Sequence, residues 1–179
     1  MNTPNKLTLL RFILVFPFVI LMLGNWGGEW KKWICLGIFC IASATDALDG
    51  YIARKYDLVT NFGKFMDPLA DKLLVCSALI CLMAQERLPV WAVLIIIARE
   101  FIISGFRLVA SDNGIVIAAS YWGKIKTICQ MVMIIVLIAD LGAGMVMAEQ
   151  ILIGLSVALT VISLADYLYK NKQVLSLQD

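Results

Sequence analysis

Asp46-Ala47-Leu48-Asp49-Gly50-Tyr51-Ile52-Ala53-Arg54 is followed, after eight residues, by Gly63-Lys64-Phe65-Met66-Asp67-Pro68-Leu69-Ala70-Asp71. The rest of the chain is built for lipid. Of its 179 residues 61% are hydrophobic and 16% charged, against roughly 45–50% and 25% in a soluble domain. The mean hydropathy is +0.89. A carboxylate at membrane depth is costly unless it is paired, metal-bound or in a wet cavity. Asp46 lies far inside an apolar run, so Asp46, Asp49, Asp67 and Asp71 together require cations. Asp57, in the polar stretch between, reads as an ordinary loop carboxylate.

Working outward, the chain divides into apolar runs at 7–25, 33–54, 67–85, 89–109, 121–141 and 147–169. Each is near the ~20 residues that a hydrocarbon core demands of a helix. Between them fall clusters that punctuate helices, such as Gly24 to Gly28, Tyr56 to Lys64, Asp112-Asn113-Gly114 and Gly142-Ala143-Gly144. The expectation is an all-α integral membrane protein of six transmembrane helices, forming one domain over 1–179 without internal repeats. The first run is long enough to span and lacks a small-residue cleavage site, so it reads as a retained helix. With six spans, twelve of the fifteen basic residues fall on one side, and only Lys31, Lys32 and Arg87 on the other. The positive-inside rule then places both termini and the aspartates in the cytoplasm. Trp26, Trp30, Trp33, Trp91 and Trp122 fall at span ends, as interfacial anchors do.

Composition closes several doors. Net charge +2 gives no reason to expect a nucleic-acid partner. Histidine is absent, which excludes imidazole ligands and bases. Cys35, Cys40, Cys76, Cys81 and Cys129 all lie in apolar runs and read as small core residues. Asp140, Glu149 and Asp166, at span ends, read as solvated caps.

Helical spacing gives the aspartates their chemistry. Asp46 and Asp49 are i,i+3 and share a face with Gly50 and Ala53; Asp67 and Asp71 are i,i+4. Two such stripes offer the hard oxygen ligands that Mg²⁺ or Mn²⁺ prefers. Two divalent ions could clamp a phosphoryl group, and a carboxylate would have to act as general base. Pro68 suits a first helical turn; deeper in a helix it would force a kink.

The stretch, as D-x2-D-G-x2-A-R-x8-G-x3-D-x3-D, resembles the signature of the CDP-alcohol phosphotransferases, and Asp46, Asp49, Gly50, Ala53, Arg54, Gly63, Asp67 and Asp71 match every specified position. The resemblance implies six membrane helices, a homodimer, and transfer of a substituted phosphoryl group from a CDP-linked donor to an alcohol with release of CMP. It implies that the four aspartates hold two divalent metals and that Asp71 deprotonates the acceptor. Gly50, Ala53, Arg54 and Gly63 would line the CDP site, joined by Asn5 and Thr8 of Pro4 to Arg11.

That N-terminal block, Ala98 to Arg107 and Gly123 to Thr127 are similar to bacterial members that take sn-glycerol 3-phosphate as acceptor and CDP-diacylglycerol as donor. The cell (inner) membrane of a bacterium is then the expected location. The residues agree with a phosphate-bearing acceptor. Arg99, Arg107, Lys124 and Lys126 are cations at or within apolar helices, where they want an anion. Glu100, i,i+7 from Arg107, could hold that arginine in place. The rival expectations are another acceptor, such as inositol phosphate, and a divalent-cation transporter.

Overall fold

A computed structural model describes residues 3–24, 27–55, 61–112, 117 and 120–172, with side chains except at 3–6, 46–55, 61–65, 67, 68, 112 and 143. Six helices account for nearly all of it: α1 (Thr3–Leu23), α2 (Trp30–Lys55), α3 (Asn61–Ala84), α4 (Val90–Asp112), α5 (Tyr121–Ala139) and α6 (Val146–Lys170). A single 3₁₀ turn, Ala143–Met145, precedes α6. Each apolar run lies on one helix. The third differs most from expectation: α3 begins at Asn61, so Gly63 and Lys64 are helical rather than loop, and Pro68 lies beyond the first turn. Asp57 and Trp26 are outside the described residues.

The chain forms two compact units. In the first, comprising residues 1–87 and 137–140, α1 packs along both α2 and α3. Thr8, Arg11, Val15, Phe18 and Met22 form the buried stripe of α1, while Ile13, Phe16 and Ile20 are exposed. Phe18 meets Phe39 of α2 with ring centroids 6.1 Å apart. At one end of this unit Arg87 pairs with Asp140 (2.5 Å) and Lys32 donates to the Asp140 carbonyl (3.2 Å). Asp140 is therefore ion-paired rather than merely solvated. α3 ends in a Schellman turn: Glu86 N–H donates to Met83 and Arg87 N–H to Leu82. Glu86 holds the left-handed position, φ 59°.

In the second unit, residues 88–136 and 141–179, α4 packs on α6. The buried stripe of α6 is largely polar: Glu149, Ser156, Thr160, Ser163 and Tyr167, with Ile153 and Leu159 between them. Its outer face carries Met147, Ile151, Leu155, Val161 and Ile162. α5 repeats the arrangement, with Lys126, Gln130 and Met133 buried and Ile128 and Val132 exposed. Polar groups turned in and large aliphatics turned out is the polarity expected in lipid, where a bare polar group costs more than an apolar one. Among the described residues α5 and α6 are long and apolar enough to cross a membrane. Glu149, expected as a solvated cap, is buried at 7% exposure instead. It sits in the first turn of α6, where the helix dipole favours negative charge. Trp30, Trp33, Trp91 and Trp122 are all exposed, and the five cysteines are free thiols.

Candidate active site

In the first unit the signature residues fall on two helices that run unbroken through them. Asp46, Asp49, Gly50, Ala53 and Arg54 lie on α2; Gly63, Asp67 and Asp71 lie on α3. Helical continuity keeps each aspartate pair on one face. Of these residues only Asp71 has a described side chain, and it is half-buried. The side chains of the other signature residues, and of Asn5, lie outside the described ones. As a donor set, four carboxylates without histidine or cysteine fit a hard divalent cation such as Mg²⁺. No group of three or more metal-binding side chains gathers among the described residues.

α1 contributes two inward polar side chains, Thr8 and Arg11, one turn apart and both buried. Arg11 Nε donates to the Ala42 carbonyl at 3.1 Å. This anchors α1 to α2 one turn before Asp46. In the sequence Arg11 stands out through the charge bias and the Pro4 to Arg11 block, and an arginine this far inside an apolar helix needs a partner.

The second unit holds the cations expected to bind an acceptor, and it separates them. Arg99 (8% exposed) and Lys126 (1% exposed) are buried, whereas Arg107 and Lys124 are exposed. Glu100 does not hold Arg107. One of its oxygens, Oε1, accepts from both Arg99 Nη1 (3.0 Å) and Lys126 Nζ. The helix explains this: Arg99 is adjacent, whereas Arg107 lies roughly 10 Å further along the axis at 1.5 Å per residue. Arg99 Nε donates to Ser163 Oγ (3.2 Å), and Ser163 donates in turn to the Thr160 carbonyl (3.0 Å). Arg107 lies over the ring of Tyr167, 5.8 Å from its centroid. Tyr167 is four residues beyond Ser163, so both arginines lean on one stripe of α6. The Tyr167 hydroxyl is buried without a hydrogen-bond partner among the described residues.

Arg99 and Lys126 thus bring two buried cations to one carboxylate oxygen. Such paired cations suit the charge-assisted hydrogen bonds of a phosphate monoester. At the start of α5, Ser120 donates to Asp166 (2.5 Å), which also pairs with Lys170 (2.7 Å). Asp166 is thus a helix-to-helix tie rather than a solvated cap.

These features define a membrane-type helical protein with an acidic signature on α2 and α3 and a cationic cluster on α4 and α5. The chain belongs to the CDP-alcohol phosphatidyltransferase family, whose model matches residues 1–162. It is 43% identical to the CDP-diacylglycerol–glycerol-3-phosphate 3-phosphatidyltransferase of Bacillus subtilis (strain 168), over 97% of either chain. It is 39% identical to the protein of that name from Rickettsia typhi, over 93% of this chain and 94% of the relative. The corresponding protein of Rickettsia prowazekii is also 39% identical, over 93% of both.

Proposed function

We propose that this chain is a phosphatidylglycerophosphate synthase. It transfers the phosphatidyl group of CDP-diacylglycerol to sn-glycerol 3-phosphate, giving phosphatidylglycerophosphate and CMP. The observation that carries the choice of acceptor is the buried pair Arg99 and Lys126, which converge on one oxygen of Glu100. A phosphate-bearing acceptor would bring these cations charge-assisted hydrogen bonds that a neutral alcohol could not.

In this reading Asp46, Asp49, Asp67 and Asp71 hold two divalent cations, Mg²⁺ or Mn²⁺. When bound, these supply charge neutralisation at the diphosphate and the leaving CMP. Asn5, Thr8, Gly50, Ala53, Arg54 and Gly63 bind the CDP moiety, with Arg54 as a bidentate donor to the diphosphate. Asp71 takes the proton from the free terminal hydroxyl of the acceptor, and the resulting alkoxide attacks the lipid-side phosphorus. Arg99, Arg107, Lys126 and Lys124 hold the acceptor phosphate. The two buried cations fix its position, and the two exposed ones draw it in from solvent.

The six helices act as six membrane spans of a single membrane domain over 1–179. Both termini and the site face the cytoplasm of a bacterium, and the protein works as a homodimer in the cell membrane. The positive-inside distribution of charge supports this orientation.

The test is CMP release by the purified protein with CDP-diacylglycerol and Mg²⁺, supplying one acceptor at a time. Release with sn-glycerol 3-phosphate, and not with serine, inositol or inositol phosphate, is the expected result. Release with inositol phosphate alone would move the protein to another branch of the family. Metal flux into liposomes without nucleotide would replace the reading with a transporter.

A further inference from the structure

Two of the three nitrogens of the Arg99 guanidinium are committed, Nε to Ser163 and Nη1 to Glu100. Nη2 has no partner among the described residues, although Arg99 is 8% exposed. It faces Gly123, the third residue of α5: a Cβ added there would sit 3.3 Å from Nη2, with no other described side chain within 4 Å apart from those of its chain neighbours. Gly123 belongs to the first turn of a 19-residue helix, where backbone N–H groups lack intrahelical acceptors. Lys124 N–H is taken up by the Ser120 carbonyl (3.2 Å). The Ser120 hydroxyl, placed where a serine commonly caps a helix, donates to Asp166.

We infer that the Gly123 backbone amide at the start of α5 and Nη2 of Arg99 together form the seat of the acceptor's phosphate, and that Gly123 is a specificity-determining position. This rests on the reading of the protein as a transferase to a phosphate-bearing alcohol. Glycine is required because the anion must approach both the amide and the guanidinium. Arg99 cannot retreat to make room, since its other nitrogens are tied to two different helices. The helix N-terminus adds a favourable dipole to the fixed charge. Lys126, three residues on, supplies the second cation from the same helix.

The experiment is steady-state kinetics of Gly123→Ala and Arg99→Ala in the full chain, varying sn-glycerol 3-phosphate and CDP-diacylglycerol separately, with melting temperatures in detergent. Alanine is the better helix former, which offsets the tight 3.3 Å contact of its methyl with Arg99 Nη2, so Gly123→Ala should melt close to the wild-type temperature. Its KM for sn-glycerol 3-phosphate should rise at least tenfold while the KM for CDP-diacylglycerol stays within twofold. An unchanged acceptor KM in Gly123→Ala, with a raised one in Arg99→Ala, would overturn the inference and leave the proposed function standing. Unchanged acceptor KM in both would remove the phosphate site itself. A lower melting temperature with KM unchanged would make Gly123 a packing residue and likewise overturn the inference.

Discussion

Replacing Glu100 by alanine would strip Arg99 and Lys126 of the carboxylate they share. At an effective dielectric near 20, a unit charge pair 3.0 Å apart, the Arg99–Glu100 separation, attracts by about 5 kcal/mol. Desolvation of the groups opposes most of that. The useful figure is the cost of removing one partner from a buried pair, about 3–5 kcal/mol. The Glu100 side chain is 20% exposed, and water can partly replace it. The lower end, about 3 kcal/mol, is therefore expected. For a chain of this size that is a fall of roughly 6–12 °C in melting temperature. The assay is thermal unfolding in detergent, with Lys126→Met added as a second change. Lys126→Met alone should destabilise, yet on the Glu100→Ala background it should restore part of the loss, because it removes a buried cation whose pairing with Glu100 is already gone. The two changes should be coupled by at least about 1 kcal/mol. If Glu100→Ala melts within about 2 °C of wild type, the three charges are solvated and the argument for a buried cationic site fails.

Asp71→Asn should abolish CMP release with little loss of CDP-lipid binding; near-normal turnover would sink its assignment as base. Arg11→Ala should cost about 3 kcal/mol, read as a lower melting temperature, because it empties a buried guanidinium site between α1 and α2. Arg11→Lys should not rescue it, since the Nε contact to Ala42 has no equivalent in lysine; full recovery with lysine would argue against that contact. Glu86→Gly should stabilise by about 0.5–1 kcal/mol, because glycine takes the left-handed C′ position without the Cβ penalty. A loss of stability on chemical denaturation would contradict the Schellman geometry.

The helices were legible because each is an apolar run of spanning length, and that signal does not depend on how the runs pack. The start of α3 was not. Gly63 and Lys64 look like loop residues, yet the helix begins at Asn61, before them. The acidic signature was legible as spacing, and Arg99 and Lys126 as cations out of place in an apolar setting. Glu100 pairs with Arg99 and Lys126 rather than with Arg107, and spacing along one helix carries no information about Lys126 arriving from α5. Gly123 gave no sequence signal beyond its place in a block. Its importance depends on which atom of another helix lies opposite, and a linear pattern does not carry that.

The hydroxyls of Ser156, Thr160 and Ser163 give α6 a rotational address. Thr160 and Ser163 donate to carbonyls of their own helix, at Ser156 and Thr160. Each therefore satisfies its own donor and stays compact, so a neighbouring backbone can draw near without a bulky group between. Turning α6 by one residue, about 100°, would carry these oxygens toward lipid and bring isoleucine and valine inward. In the proposed membrane setting no jigsaw of side chains is needed to forbid that turn, because hydrocarbon would penalise it. The solvent, rather than the core, would then fix which way the helix faces, and with it the direction from which Ser163 meets Arg99.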